Sequence, residues 1–313
     1  MYILKLYFRN FLNNKSIHII TIGGFAISLA LFILISGYVV HEKSFDQSFK
    51  NIDYMYRLKT VKNEAVIPIR YKDEIIEGIP DIDRICFYTQ NTRQMFRLKN
   101  KKNTAVFLKA TDAFFDVFSV NFLYGVKENA LASKDNMVVT ESFAIKYFGK
   151  PDPIGETIEM PNGDVKKIVA VIADPPKLSS LQYELIIDSE NEYFSSMNCN
   201  NNDCYMMFNT ALVLNPKADT AQVNQKLSDI LKNRPYTRKG VVLQPFKDVY
   251  YDTISSGDVH QHANVKFIQL LSVVAFVLLL LSIVNYINLT LTTNLNRFKE
   301  ICIRKTNGAK VHD

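Results

Sequence analysis

Two long uncharged runs, Ser16–Val40 and Phe267–Asn296, bracket a region in which apolar and polar residues alternate on short periods. The first run holds 25 residues with no Asp, Glu, Lys or Arg and His18 as its single histidine, and the second holds 30 residues with no charge. A hydrocarbon core of ~30 Å is crossed by roughly 20 apolar residues in helical form. The pattern therefore predicts two transmembrane helices, over 17–40 and 267–296. A cleaved leader is the competing reading of the start, but the run is longer than a leader core and no small-x-small cleavage site precedes polar sequence. Gly23, Gly24, Ala26, Ser28 and Ala30 give the first span a small-residue face for close packing. In the second, Asn285, Asn288 and Thr292 recur at i, i+3 and i+7. Amides on one face want partners in lipid, so this face is expected to pack against other helices; the alternative puts its far end at head-group level.

Between the spans the periods are those of strands and short helices. Tyr54–Thr60 reads as a strand and Ile69–Gly78 as a helix stopped before Pro80. Short strands are expected at Ile85–Thr89, Met95–Leu98 and Ala105–Lys109, then a helix over Thr111–Phe118 capped by Thr111. Met137–Thr140 is a strand and Glu141–Phe148 a helix closed by Gly149. Thr157–Met160 and Lys166–Ile172 form a hairpin around Pro161-Asn162-Gly163. Strands at Tyr183–Ile187 and Met206–Leu214 flank the polar stretch Ser189–Asp203. Thr220–Leu231 is an amphipathic helix and Val241–Leu243 a last strand. The prediction is an α+β domain over 41–266, with two subdomains and mixed sheets, inserted between two transmembrane α-helices. The segment near 130–205 is expected to be inserted into a sheet built from what flanks it.

The ends of the chain are amphipathic. In residues 1–16, Leu4, Phe8, Phe11 and Leu12 sit at helical spacing with Lys5 and Arg9 on another face, which suits a helix lying in the membrane interface. After the second run, Phe298, Ile301, Cys302 and Lys305 fall on one side of a helix, and Arg297, Glu300 and Arg304 on another. Glu300 and Arg304 are four apart in the favourable order, and Gly308 ends the segment. An ordered face of this kind suits docking to a protein; a plain stop-transfer anchor needs only the basic residues.

Charge sharpens the topology. The chain has 37 basic and 31 acidic side chains. Residues 1–16 hold three of the basic ones and no acid; residues 297–313 hold five basic and two acidic, leaving 29 of each sign between. The basic excess lies in the flanks of the apolar runs, a positive-inside pattern and not a nucleic-acid footprint. Both termini are thus expected in the cytoplasm and residues 41–266 outside. Cys199 and Cys204 could form a local disulfide there or remain two free thiols. No phosphate-binding loop is present, since Gly149-Lys150 is followed by Pro151. A metal at Asp258, His260 and His262 lacks further ligands at suitable spacing, so a solvated loop is expected. Asp81 and Asp83 could pair as acid and base, but beside Pro80 they read as solvated or helix-capping acids, and no catalytic constellation or cofactor site emerges.

Several segments carry a family resemblance. RFKEICIRKTNGA resembles the R-x-x-E-I-G-I-R-K-x-x-G-A signature after the second membrane helix of MacB/FtsX-type ABC transporter permeases, with Cys302 in place of the usual Gly. NYINL at 285–289, FRNFLNNK at 8–15, ATDAFFDVFSVNFLYG at 110–125, VVTESFAIKYFGKPDPIGETI at 138–158, IVAVIADPP at 168–176 and LQPFKDVY at 243–250 are similar to further family segments in the same order. The resemblance implies an inner-membrane permease subunit, paired with a second permease as a homo- or heterodimer and driven by a separate cytoplasmic ABC ATPase. It implies a coupling helix at Arg297, Phe298, Lys299, Glu300, Ile301, Arg304, Lys305 and Gly308. It also implies a periplasmic core domain that engages a substrate or adaptor and changes shape by mechanotransmission. The family has two more membrane helices after the coupling segment, so the chain is expected to be a fragment or a split or truncated product. The rival architecture is a two-span receptor with an external sensing domain; the short tail leaves it no output module.

Overall fold

The structure is a computed structural model and describes residues 15–99, 101–189 and 206–306. It divides into a helical unit, which holds residues up to Lys43 and from Asn264 onward, and an αβ unit over Ser44–Ala263. In chain order the principal elements are α1 (Lys15–Lys43), β1 (Met55–Thr60), β2 (Val66–Pro68), α2 (Lys72–Gly78), β3 (Ile82–Leu98), β4 (Lys101–Ala110), α3 (Phe114–Val117), β5 (Phe122–Tyr124) and β6 (Asn136–Thr140). There follow α4 (Glu141–Phe148), β7 (Thr157–Glu159), β8 (Val165–Ile172), β9 (Leu185–Asp188), β10 (Met207–Leu214), α5 (Thr220–Leu231), β11 (Val241–Pro245) and α6 (Val265–Thr306).

Two stretches are long and apolar enough to cross a membrane, Ile19–Lys43 in α1 and Val265–Asn288 in α6. At ~1.5 Å rise per residue each is about 36 Å long. Their side chains are not those of core helices: Ile20 is 74% exposed and Leu34 69%, and most of their large apolar neighbours are exposed too. The two helices pair antiparallel. Phe25 meets Tyr286 with ring centroids 6.3 Å apart, and Tyr38 meets Phe267 at 6.4 Å. Buried Ser28 and Ser282 return their hydroxyl protons to the helix carbonyls of Gly24 and Leu278, so neither leaves an open donor in an apolar setting.

The αβ unit is built on an 11-stranded mixed sheet in the order β11-β1-β10-β3-β4-β9-β6-β8-β5, with β2 added to β10 and β7 bridging β8 and β3. Its spine is β3, 17 residues long. The first part of β3 pairs with β10, from Leu214↔Ile82 to Asn209↔Tyr88. The second part pairs with β4 as far as Leu98↔Lys101. The sequence predicts two short strands here, because QNTRQ interrupts the apolar pattern. The ladder to β4 carries the backbone through, and a bulge between Asn91 and Gln94 absorbs the irregularity.

Beyond the bulge the strands close a ring. β4 pairs with β9, β9 with β6, β6 with β8, β8 with β7, and β7 returns to β3 through Arg97↔Glu159. Phe96, Phe107, Met137, Val139, Ile158, Ile168, Leu185 and Ile187 fill its interior, under Phe143 of α4. The second subdomain therefore recruits the outer halves of β3 and β4, which the sequence pattern assigns to the flanking sheet. The β7–β8 turn is the Pro161-Asn162-Gly163 loop, with Gly163 at φ 90° and Met160 N–H donating to Asp164 O at 2.7 Å.

Period-two alternation sorts the other cores. Ile85, Phe87, Leu212 and Leu214 face one side, where Val223, Leu227 and Leu231 of α5 and Ile75 of α2 cover them. Cys86, Tyr88, Ala211 and Val213 face the other, where Phe114, Phe115, Phe118, Phe246 and Val249 pack. α3 is a single turn and not the helix expected over Thr111–Phe118. Thr111 does not cap it: its hydroxyl accepts from Phe87 N–H at 3.1 Å, serving the sheet instead. α4 and α5 do carry side-chain caps, from Thr140 and Asp219.

Leu227 is fully buried at the centre of the α5 face. Leu227→Ala is expected to lower the stability of the αβ unit by about 3 kcal/mol in urea unfolding, the transfer loss plus a cavity term. A loss under ~1 kcal/mol contradicts the assigned core.

Candidate functional site

β1 sets its side chains on alternate faces, and that parity puts Arg57 inward, between Met55 and Lys59. Arg57 is completely buried. A guanidinium out of water needs acceptors on each of its nitrogens. Nε donates to Gln244 Oε1 at 2.8 Å, Nη2 to Asp252 Oδ2 at 2.8 Å, and Nη1 to Asp258 Oδ2 in a short contact. Lys59 Nζ adds a second cation to Asp252 at 3.1 Å. Asp258 Oδ1 also accepts from the backbone N–H of His260 at 3.0 Å and from its Nδ1 at 2.7 Å. The opposite ring nitrogen of His260 lies 3.2 Å from the Tyr88 hydroxyl. The chain Arg57–Asp258–His260–Tyr88 thus runs through the unit from β1 to β3.

Burial pushes the Asp258 carboxyl up, but the donors of His260 and the Arg57 charge outweigh it and hold the group well below the usual carboxylate range. Asp252 follows the same logic: burial raises it, while Ser255, the Ile254 N–H, Lys59 and Gln244 bring it below that range. Burial also pushes the Tyr88 phenol well up, reinforced by the nearby Cys86 and Asp258. The expected solvated loop at His260 and His262 is overturned. The His260 side chain has no exposure, because Arg57 draws Asp258 inward and His260 follows it. Among the described residues no cluster of His, Cys, Asp or Glu suits a metal ion. Asp81 and Asp83 are solvated as expected, pairing with Lys226 at 3.4 Å and Arg84 at 3.5 Å.

The network has a place in the chain. Residues 44–46 follow α1 directly, and residues 258–263 lead directly into α6. Two residues touch both lead segments. Ser180 donates its N–H to Asp46 Oδ1 at 2.8 Å and accepts from Gln261 N–H at 2.9 Å. Tyr250 stacks on Phe45 with ring centroids 4.0 Å apart, and its carbonyl accepts from Ala263 N–H at 2.8 Å. With Asp258 and His260 locked to Arg57 and Tyr88, the two lead segments are fixed to the sheet and to each other inside one unit.

The residues singled out in the second span and tail lie on α6, which is one helix of 42 residues. Asn285 is half-buried, with Nδ2 3.4 Å from the point where a Cβ on Gly24 would stand, so it packs on the small-residue face of α1. Asn288 is exposed. Phe298 is 66% exposed, and Lys305 is exposed. Thr292, Arg297, Lys299, Glu300, Ile301 and Arg304 lie on the helix backbone, and Gly308 falls outside the described residues. So do residues 1–14 and the Cys199–Cys204 pair. Cys86 is a buried free thiol and Cys302 an exposed one.

Comparison with known proteins adds the following. The family model for the MacB-like periplasmic core domain matches residues 19–230. Among solved structures, a domain of a putative permease protein from Porphyromonas gingivalis aligns with a TM-score of 0.52 at 20% identity, covering 64% of this chain and 93% of that one. The periplasmic region of MacB from Actinobacillus actinomycetemcomitans aligns at 0.47 and 15% identity, covering 64% and 93%. The extracellular domain of the noncanonic ABC-type transporter YknZ from Gram-positive bacteria aligns at 0.46 and 13%, covering 61% and 99%. No curated protein sequence matches the chain.

The depressed Asp258 carboxyl gives a signed prediction. A group with a lowered folded pKa contributes stability that is present above its unfolded value of ~3.9 and is lost as pH falls through the folded one. Asp258→Asn is expected to cost on the order of 3 kcal/mol at pH ~7, by leaving Arg57 undercompensated. It should also flatten the fall in stability below pH ~4. Urea unfolding across pH checks both, and an unchanged acid limb counts against the assignment.

Proposed function

From the premise that this chain belongs to the MacB-like periplasmic core domain family, that of ABC transporter permeases, we propose that it is a permease subunit coupling ATP hydrolysis on a partner ATPase to shape change in its αβ unit. In this reading both termini are cytoplasmic, α1 and α6 cross the inner membrane, and residues 44–263 lie in the periplasm. The basic flanks of the apolar runs support that orientation. The chain is not itself an enzyme here; hydrolysis belongs to the partner.

The observation that carries the reading is the continuity of α6. It runs unbroken from Val265 to Thr306, 18 residues past the end of its membrane-spanning stretch at Asn288. No Gly or Pro falls inside it, so it lacks the usual kink sites. A push on residues 297–306 is delivered along the rod and not absorbed at a joint. At its other end the chain enters the αβ unit through 258–263, which are tied to Arg57, Tyr88, Ser180 and Tyr250. Through Ser180 and Tyr250 the segment after α1 is tied to the same points, so both lead segments belong to the folded αβ unit. The docking surface for the ATPase is the charged face of Arg297, Glu300 and Arg304 with Phe298 and Ile301, and Lys299, Lys305 and Gly308 complete the segment. A second permease, a periplasmic adaptor or a substrate are further partners of this assembly.

The test is co-purification of the full chain with its cytoplasmic ATPase from membranes. Glu300→Lys combined with Arg304→Glu is expected to reduce the co-purified ATPase at least tenfold while the permease level is kept. Retention of the ATPase by the double variant contradicts the coupling role.

A further inference from the structure

A small cavity of about 90 Å³ opens where the turn after β1 meets the loop before β11. Thr60 and Lys62 line it from the turn, and residues 236–240 from the loop. The strand register brings the two together: Thr60 stands opposite Val241, and Val61 N–H donates to Gly240 O at 3.2 Å. The loop is anchored to the end of α5. The buried Thr237 hydroxyl donates to Leu231 O at 2.8 Å, and Gly240 N–H donates to Thr237 O at 2.7 Å. Gly240 sits at φ 91°, and a Cβ there would stand 2.4 Å from Ser228 Oγ, so glycine is what lets the loop close this tightly. The volume is far below the ~300 Å³ at which drug-sized ligand sites begin. The space takes one compact group and not a ring or a chain.

Its walls carry charge of one sign. Lys62, Arg238 and Lys239 are exposed and make no ion pair among the described residues. No Asp or Glu is among the lining residues. Neighbouring cations with an acid in reach use it: Arg234 pairs with Glu74 at 2.6 Å and Lys226 with Asp81 at 3.4 Å. Between Asp229 and Asp248 the sequence has five basic residues and no acid, so the loop offers Arg238 and Lys239 no local partner. One carboxylate is bonded to the wall from outside it: Glu64 Oε2 accepts from the Thr60 hydroxyl at 3.3 Å. Three cations against that carboxylate leave an excess of two positive charges. A carboxylate ligand would cancel half of this excess. Hydrogen phosphate or a phosphate monoester carries roughly −1.5 to −2 at pH ~7 and closes the balance. Arg238 brings a planar fork suited to two phosphate oxygens at once, and the two lysines bring point charges.

We propose that this cavity binds a doubly charged phosphate group on Lys62, Arg238 and Lys239, either as the free ion or as the end of a phosphate monoester. Such a site goes beyond the coupling role and does not depend on an ATPase partner.

The experiment is a fluorine NMR titration of monofluorophosphate, a tetrahedral dianion, against the full chain in phosphatidylcholine nanodiscs and phosphate-free buffer, with empty nanodiscs as the blank. Fluoroacetate, a singly charged carboxylate, serves as the charge control. Saturable binding of monofluorophosphate is expected, roughly tenfold tighter than that of fluoroacetate. Arg238→Gln combined with Lys239→Gln should weaken it by roughly tenfold or more. Lys62→Gln, from the other segment, should weaken it roughly threefold. Lys101→Gln combined with Lys102→Gln removes the same charge from exposed positions at the start of β4 and should leave binding unchanged. Displacement of the probe by inorganic phosphate alone assigns the site to the free ion, and displacement by glycerol phosphate assigns it to a phosphate monoester. The proposal is overturned if the blank binds equally, if fluoroacetate binds as tightly, or if neither phosphate displaces the probe. It is also overturned if the Lys101 and Lys102 variant weakens binding as much as the Arg238 and Lys239 variant.

Discussion

A guanidinium buried without water is the constraint from which much of the αβ unit follows. Removing a charge from water costs several kcal/mol even after relaxation, and the cost is offset only if every donor finds an acceptor in good geometry. Each of the three guanidinium nitrogens of Arg57 finds such an acceptor, on residues far along the chain: Gln244 from β11, Asp252, and Asp258. Asp258 then fixes His260, and His260 reaches Tyr88 on the spine strand. A strand near the start of the unit and the last residues before α6 are thereby held in one polar cluster. Ser180 and Tyr250 extend the same fixation to the residues just after α1.

The sheet gives this cluster a rigid partner. β3 belongs to both lobes, pairing with β10 in one and β4 in the other, and β7 closes the second lobe back onto it. Tyr88 therefore stands on a strand shared by two cores. The helical unit has the complementary property. Its large side chains face outward, as in lipid, and its pairing relies on small contacts such as Gly24 under Asn285. The coupling proposed above needs both: stiff helices and a domain whose entry points do not yield.

Much of this was legible in the sequence where the signal is local. Gly149 ending α4, the Asn162-Gly163 turn and the α5 amphipathic face all depend on neighbours within one or two turns, and these elements fall where the pattern puts them. The spans read from composition because lipid imposes a uniform demand on every side chain. What stayed hidden depends on distant partners. The strand pattern around Arg57 shows inward parity, but nothing local says that acids 195 and 201 residues away will pair with it. For the same reason Asp258, His260 and His262 read as a solvated loop. The long β3 reads as two short strands because its polar middle is carried by the ladder to β4, a pairing that no local pattern reveals. Thr111 had the composition of a cap and serves the sheet instead.

The central claim is that both lead segments are part of the folded αβ unit and not linkers beside it. Native-state hydrogen exchange on the full chain measures this directly. The amides of Asp46, Ser180, Gln261 and Ala263 should share the slow exchange of Phe87 in β3 and Leu212 in β10, opening only when the unit unfolds as a whole. Fast local exchange at those four positions, with Phe87 and Leu212 still protected, would contradict the account.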